Sequence, residues 1–339
     1  CEEIDTSEDI VREIKLSSKE IIERIKDRGI VGLGGAAFPT HVKYMVPEDK
    51  KAEYLIINAA ECEPYLTSDN RVILEHTEEV LIGIEIMKKA LNINKAKIGI
   101  EANKPKAIEA LRKMLNQYPG TEVVPLKTKY PQGAEKQLIY ALTKREVPSG
   151  KLPIEVACVV NNVGTAFAIY QAIQKNRPLI GNILTFTGKK TTNNKNLLVR
   201  VGTSIQSIID FCGGLPEDTG KVINGGPMMG KAMMDLSAPT TKTTSSILVM
   251  SEAESSRKKM TNCLRCGKCV SACPMGLEPI QIALLAKQER WEEAEKECAM
   301  DCIECGSCLF TCPAGQPLLD IIRVAKSKIG AIRRARSKK

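Results

Sequence analysis

The sequence of 339 residues is long enough for two or three domains, and its hydrophobic content of 43% is typical of a globular protein. No apolar stretch approaches the ~20 residues that a transmembrane helix requires, which argues against an integral membrane protein. The formal net charge of +9 is unevenly distributed, because eight bases and no acid follow Asp320. The body of the chain is therefore close to neutral, and its C-terminal tail is basic.

Predicted helices and strands alternate in the first half of the chain. Helices are predicted over 7–28, 69–91, 105–117 and 132–142, and strands over Tyr54–Asn58, Lys97–Glu101 and Thr121–Leu126. Ser17 or Ser18 is a candidate cap within the first helix, because an apolar stripe of isoleucines follows. The alternation of strand and helix favours a largely parallel sheet.

A glycine-rich loop precedes the first strand. Its glycines are too closely spaced for the dinucleotide fingerprint G-x-G-x-x-G; they are Gly32, Gly34 and Gly35. Backbone N–H groups of such a loop can bind a phosphate, although a tight turn explains the same glycines equally well. A polar cluster of Asn58, Glu61 and Glu63 follows the strand, where parallel sheets bind ligands, and the alternative is a solvated loop.

The pattern changes from about Gly188. Strand, short helix and strand are predicted between Leu197 and Pro227, which indicates a small α+β unit. Thr240–Ser246 is rich in threonine and serine and is predicted to be a linker.

Two stretches near the C-terminus share the form C-x2-C-x2-C-x3-C-P, the ligand run of a ferredoxin with two [4Fe-4S] clusters. In such runs the fourth cysteine ligates the cluster of the other run. The predicted ligands of the first cluster are Cys263, Cys266, Cys269 and Cys312, and those of the second cluster are Cys302, Cys305, Cys308 and Cys273. Structural zinc is disfavoured, because zinc sites use two separated CxxC pairs, and disulfides fit the spacing less well still.

Helices are predicted between the two runs, at Pro279–Ala286 and Glu289–Cys298, which favours a helical ferredoxin domain. In the basic tail, apolar residues recur at helical spacing: Leu319, Ile322, Ala325 and Ile329. This pattern predicts an amphipathic helix on an anionic membrane surface or a partner, or else a solvated tail. No aromatic residues interleave the bases, which argues against nucleic-acid binding.

Several motifs together resemble one family. Residues 32–43 (GLGGAAFPTHVK) and 58–64 (NAAECEP) resemble the flavin-bearing, NADH-oxidising subunit of respiratory complex I. The resemblance is greater to the C subunit of the Rnf complex, an ion-translocating ferredoxin:NAD+ oxidoreductase. It also includes residues 130–137, 146–150, 161–165 and 225–230 and both cysteine runs, and so covers essentially the whole chain.

The resemblance completes the prediction of fold class, which is α/β plus α+β. It implies a Rossmann-like, parallel-sheet domain that binds FMN and NADH over 1–187 and a small β-grasp domain over 188–246. A helical domain with two [4Fe-4S] clusters is predicted over 247–325, followed by a basic tail over 326–339.

The resemblance also implies an FMN site with an adjoining NAD(H) site. Residues implied to contact the phosphate and ribityl chain are Gly32, Gly34, Gly35 and Lys43. Those implied to line the flavin and complete the pocket are Asn58, Glu61, Gly133, Glu135, Asn161 and Asn162. Phe38 is implied to stack near the nicotinamide or adenine, and Glu63 to hydrogen-bond NADH.

The sequence departs from the complex I protein at three positions, where Leu33 replaces an arginine, Ala60 an acid and Ala134 a glutamate. The first two substitutions agree with Rnf-type sequences. Rnf C subunits also have a barrel-like domain before the flavin domain, so we expect a further N-terminal domain that Cys1–Lys15 cannot supply.

The resulting functional prediction is a subunit that exchanges hydride between NADH and FMN and relays single electrons through two clusters. No catalytic acid, base or nucleophile is expected. The predicted partners are NADH or NAD+, the ferredoxin-like B subunit and the membrane subunits of the Rnf complex, and the predicted location is the cytoplasmic face of the cell membrane. Alternatives are a soluble electron-transfer protein that feeds an amino-acid reductase, and a cluster-only conduit with a vestigial flavin fold.

Overall fold

The computed structural model describes residues 4–336, which form two compact units with their boundary between Glu252 and Ala253. The first unit contains two sheets. Its parallel sheet has four strands, in the order β3-β2-β1-β4: β1 (Tyr54–Ala59), β2 (Lys95–Glu101), β3 (Thr121–Leu126) and β4 (Cys158–Asn162). Seven helices accompany them: α1 (Ser18–Asp27), α2 (Thr40–Tyr44), α3 (Ser68–Glu75), α4 (Thr77–Leu91), α5 (Pro105–Met114), α6 (Glu135–Thr143) and α7 (Val163–Gln174). This architecture confirms the predicted Rossmann-like fold.

The helix predicted over 7–28 begins only at Ser18. Ser17 caps it, since its hydroxyl accepts from the Glu20 N–H while the Glu20 carboxylate accepts from the Ser17 N–H. The preceding residues extend along α7 instead, where Gln174 donates to the carbonyls of Val11 and Glu13. The helix predicted over 69–91 is also interrupted, at His76 between α3 and α4.

The second sheet is mixed, with the strand order β6-β5-β9-β7-β8. Its strands are β5 (Gly181–Gly188), β6 (Lys195–Arg200), β7 (Thr219–Asn224), β8 (Lys231–Ala232) and β9 (Ser246–Ser251), and α8 (Ile205–Phe211) packs its isoleucines on the sheet. This is the predicted β-grasp arrangement. It extends beyond the range 188–246 at both ends, because β5 and β9 pair in parallel at its centre.

The prediction of a linker over Thr240–Ser246 is wrong. Thr240, Thr244 and Ser246 are buried, and the Lys242 ammonium donates to the Gly29 carbonyl oxygen at 2.6 Å. Polar residues in this stretch thus make structural contacts within the first unit rather than forming a solvated connection.

The second unit is helical, as predicted, and no strand is found over its described residues. After α9 (Glu252–Ser255) at the boundary, its helices are α10 (Lys268–Ser271), α11 (Pro279–Lys287), α12 (Trp291–Lys296), α13 (Ser307–Thr311) and α14 (Leu318–Arg336). Short 3-10 helices also occur in the chain, at Leu115–Gln117, Pro153–Val156 and Ala299–Asp301.

The basic tail is predicted to start at residue 326. In the structure this position lies inside helix α14. The apolar residues that suggested membrane binding are buried in the core of their own unit: Leu319, Ile322, Ala325 and Ile329. Arg333 and Arg336 pair with glutamates of α12. The described part of the tail is therefore a packed helix, while Lys338 and Lys339 lie outside the described residues. Over residues 4–336, no helix combines the length and apolar character that crossing a membrane requires.

Candidate functional site

The predicted flavin residues meet at the carboxyl edge of the parallel sheet. Strands β1 and β4 are neighbours, and their register places Asn58 beside Asn162. The Asn58 side chain donates to the Gly133 carbonyl oxygen at 2.7 Å and accepts from the Ala60 N–H at 3.2 Å. It thereby joins the end of β1 to the loop before α6.

The glycine loop is held against the first turn of α7. The Leu33 N–H donates to the Thr165 hydroxyl at 3.1 Å, and Asn162 caps the helix by accepting from the Gly164 N–H at 2.7 Å. A Cβ on Gly34 would lie 3.0 Å from the Asn162 side chain, whereas one on Gly35 would meet no atom within 4 Å. The loop is thus tightly packed on one side and open on the other. Together with the positive end of the α7 dipole, it forms a suitable cradle for a phosphate.

Asn161, beside Asn162 at the end of β4, is buried and has no hydrogen-bond partner for its side chain. Its side chain is 2% exposed, and neither its amide nitrogen nor its carbonyl oxygen has a hydrogen-bond partner. Leaving buried polar atoms without partners costs about 1–3 kcal/mol for each group. A ligand that offers both a donor and an acceptor, as a flavin does, would remove this cost.

Lys43 and Phe38 have different surroundings. The Lys43 ammonium donates to the Val160 carbonyl oxygen at 2.8 Å and lies 3.6 Å from the Glu135 carboxylate. The Phe38 ring is 48% exposed and so has a free face for stacking. Their implied contacts with FMN and NAD(H) remain predictions.

Two carboxylates lie close together next to this edge. Glu61 accepts from the N–H groups of Asp69 and Asn70 at 2.7 and 3.3 Å, and Asp69 accepts from the Asn162 side chain at 2.8 Å. Burial, followed by the Asp69 charge, raises the pKa of Glu61 to about 8. Burial raises the pKa of Asp69 to about 6. Burial therefore raises the pKa of both carboxyl groups in the folded protein.

Sequence reasoning missed Asp69 and Lys104. The Lys104 ammonium donates to the Ala60 carbonyl oxygen at 2.8 Å, and its charge partly offsets the burial of both carboxylates. Lys104 follows the carboxyl end of β2, so the argument that selected Asn58 would have selected it too. Asp69 had only the weak signal of an acid in the first turn of a helix.

The native fold should lose stability with rising pH through Glu61. The pKa of Glu61 is raised in the native state. The stability gained by holding its proton is therefore complete below the ordinary pKa of a glutamate, and it is lost as pH rises towards about 8. One proton gives a slope of at most about 1.4 kcal/mol per pH unit. Glu61→Gln is expected to flatten the dependence in urea unfolding of the flavin-free protein from pH 5 to 8, whereas the exposed control Glu23→Gln is not. The prediction would be contradicted if the free energy of unfolding changed equally with pH in the wild type and in both variants.

Glu63 joins the two sheets of the first unit. Its carboxylate accepts from the backbone N–H groups of Met228 and Met229, at 3.1 and 2.8 Å. A Cβ on Gly226 would lie 2.2 Å from a Glu63 carboxylate oxygen and 2.8 Å from the Glu63 Cβ, so any larger residue there would displace the Glu63 side chain. Both oxygens of the carboxylate that is predicted to bind NADH thus accept hydrogen bonds from within the chain.

Removal of this contact should be measurable. Glu63→Ala is expected to lower the free energy of unfolding by about 1.5–3 kcal/mol, because hydrogen bonds to charged groups are lost. Chemical denaturation of the flavin-free protein measures the effect, and Glu48→Ala, at an exposed position, is the control. If Glu63→Ala lowered the free energy of unfolding by less than the control does, the carboxylate would not hold the loop of Glu63 to the loop of Met228 and Met229.

A cleft of about 1110 Å³ in the first unit lies elsewhere. It is bounded by α3, α7, β5 and β6, with His76 stacked on Phe167 in its wall. None of the predicted site residues lines it.

In the second unit, cysteines of both runs line one small apolar pocket: Cys273, Cys302, Cys305 and Cys308. Its other walls include Ile282, Leu319 and Ile322. Burial, together with the neighbouring Cys302 and Cys305, raises the pKa of Cys308 to about 12. Four thiols in an apolar pocket fit an iron–sulfur cluster, since bound iron favours the thiolate form.

In the first run, Cys269 lies near Cys312 of the second run. Burial raises the pKa of Cys269, and the nearby Cys312 adds to the shift. The Thr261 N–H donates to the Ala314 carbonyl oxygen at 3.0 Å, which holds the chain before Cys263 against the end of the second run. Over residues 4–336, no three Cys, His, Asp or Glu side chains are placed to share a single metal ion.

Family profiles match both units. The Nuo51 FMN-binding domain matches residues 25–171, and two 4Fe-4S dicluster domains match residues 255–313 and 228–278. Among curated relatives, the C subunit of the Na(+)-translocating ferredoxin:NAD(+) oxidoreductase complex of Acetobacterium woodii is 46% identical over 319 residues, which are 94% of this chain and 72% of the relative. The chain belongs to the C-subunit family of ion-translocating ferredoxin:NAD(+) oxidoreductases.

This C-subunit family includes relatives longer than the present chain. The C subunit of the proton-translocating complex of Clostridium ljungdahlii is 50% identical over 285 residues, which are 84% of this chain and 62% of the relative. For the C subunit of the ion-translocating complex of Serratia proteamaculans the identity is 42%, over 83% of this chain and 40% of the relative. The chain thus spans between 40% and 72% of these three relatives.

Solved structures share the fold of this member of the C-subunit family. A chain of the NAD+-reducing [NiFe]-hydrogenase in the H2-reduced state superposes with a TM-score of 0.64 at 18% identity, covering 92% of this chain and 63% of that chain. At this level of identity, the likeness supports the fold alone.

Proposed function

We propose that the chain is a peripheral electron-transfer subunit that exchanges hydride with NAD(H) through FMN and relays single electrons through two [4Fe-4S] clusters. The observation that carries the proposal is that one chain has both of two features. The first is the partnerless buried amide of Asn161, next in sequence to the Asn162 that packs on Gly34, and the second is an apolar pocket lined by four thiols. Family membership agrees with it.

In the first unit, the phosphate of FMN would occupy the cradle of Gly32, Gly34 and Gly35, with Lys43 nearby. The ring would be held by the residues at the ends of β1 and β4 and the loop before α6: Asn58, Glu61, Gly133, Glu135, Asn161 and Asn162. Phe38 and Glu63 would lie towards the nicotinamide nucleotide. When bound, FMN accepts two electrons as hydride and releases them singly, and the protein positions and shields it.

In the second unit, the two cysteine runs would hold the clusters in the crossed assignment. The second cluster would have the apolar pocket, and the first would lie at the more exposed Cys263 and Cys266. Cluster potential depends on solvent exposure and on hydrogen bonds to sulfur. The two clusters should therefore differ in potential.

The proposed partners are a ferredoxin-like B subunit and the membrane subunits of the Rnf complex. The relatives are named as subunits of ion-translocating complexes, and this chain has no candidate membrane span over its described residues. Attachment to the cytoplasmic face of the cell membrane through those subunits is consistent with both observations.

Cofactor analysis of anaerobically purified protein tests the proposal. We expect one FMN per chain, about eight irons with as many sulfides, and bleaching of the flavin absorbance on addition of NADH. Iron without flavin would support the cluster-only alternative. Zinc in place of iron, with no flavin, would refute the proposal.

A further inference from the structure

The loops that carry the first cysteines of the two runs differ sharply in solvent exposure. Every residue from 256 to 268 is exposed, including Cys263 and Cys266, whereas Cys305 and Cys308 are buried. Electron tunnelling falls steeply with distance. A carrier protein would therefore approach the first cluster more closely than the second.

The loops also differ in charge, although their backbones are alike. Arg265 and Glu304 occupy equivalent positions, both with positive φ, and each donates its N–H to the first cysteine sulfur of its run at 3.4 Å. Residues 255–277 contain five bases and no acid, while residues 297–320 contain four acids and no base. The bases are Arg257, Lys258, Lys259, Arg265 and Lys268.

The charge of the second loop is compensated within the unit, and that of the first is not. Glu304 pairs with Arg323 at 3.0 Å and with Lys326 at 2.7 Å. Within residues 4–336, Arg257 pairs with Asp320, but the other four bases of the first loop have no ion pair. The exposed side chains of Met260 and Leu264 lie in the same loop as Arg257 and Arg265, and Met and Arg are enriched at protein interfaces.

The first loop is held in place by the chain after the second run. The Gln316 side chain donates to the Thr261 carbonyl oxygen at 2.6 Å, and a Cβ on Gly315 would lie 3.0 Å from the Lys258 carbonyl oxygen. The bases therefore extend from a backbone that is held by contacts within the unit.

We propose that this basic loop, residues 257–268, is the docking surface for an acidic electron-carrier protein, which exchanges electrons with the first cluster. The inference rests on the proposed function, because it requires a cluster at Cys263, Cys266, Cys269 and Cys312. Complementary charge steers association and makes it sensitive to salt. A carrier with acidic side chains around its own redox centre fits this loop.

The test uses the full chain purified anaerobically, with a purified acidic bacterial ferredoxin as the probe. The variant Lys258→Glu with Lys259→Glu reverses two charges without touching a cysteine or its neighbours, and Lys296→Glu with Lys328→Glu is a matched control on α12 and α14. At low salt we expect the association rate to fall about tenfold or more for the loop variant and less than about twofold for the control. High salt should abolish the difference.

Iron content and the reduced-state EPR spectrum are measured on each protein first. If wild type lacks iron, the proposed function fails. If all proteins hold their clusters and the loop variant binds ferredoxin as fast as the control, the docking proposal alone is overturned. It is also overturned if the loop variant impairs binding only to anionic vesicles or to single-stranded DNA, both included as competitor probes.

Discussion

Substitution of Cys273 with serine is expected to remove the cluster of the second run and to leave the cluster of its own run in place. Cys273 lines the pocket formed by Cys302, Cys305 and Cys308, although it lies 29 or more positions before them in the sequence. Iron should fall from about eight to about four per chain. The remaining EPR signal should match that of Cys305→Ser rather than that of Cys266→Ser.

The reciprocal variant, Cys312→Ser, should match Cys266→Ser, because Cys312 lies near Cys269. Cys298→Ser is the control: this cysteine is exposed, belongs to the same unit and lies outside both runs, so both clusters should remain. A Cys273→Ser spectrum that matches Cys266→Ser would show that each run ligates its own cluster.

Asn161→Leu is expected to have opposite effects on apoprotein stability and flavin binding. The buried amide has no partner in the apoprotein, so an apolar side chain of similar shape should leave the free energy of unfolding unchanged or raise it by about 1–3 kcal/mol. The same substitution removes the donor and acceptor proposed for FMN. Loss of one or two hydrogen bonds should weaken FMN binding about tenfold to a hundredfold.

Chemical denaturation of the flavin-free protein and fluorescence titration with FMN measure the two effects. Asn196→Leu provides the contrasting control, because the Asn196 side chain already pairs with Thr185 and Thr67 outside the site. It should lower stability and leave FMN affinity within about twofold of wild type. Unchanged FMN binding in Asn161→Leu would show that the amide does not serve the flavin.

Local signals were reliable where neighbouring residues decide the structure. The capping box at Ser17 begins α1, and strand β3 has its predicted bounds, Thr121–Leu126. Residues 7–16 differ, because contacts with α7, distant in sequence, hold them extended. The prediction for the tail also differs from the structure. The sequence shows the apolar stripe of the helix, but it does not show that the core of the same unit covers this stripe.

The same distinction holds for the site. The residue types and their spacing determined the cysteine runs, the glycine loop and the polar ends of the strands, because each is a feature of a short segment. Only the tertiary structure brought Asp69 and Lys104 to Glu61, turned Glu63 towards Met228 and Met229, and left Asn161 without a partner. These results depend on which distant segments pack together and on which buried polar atoms find partners, and no local pattern encodes either.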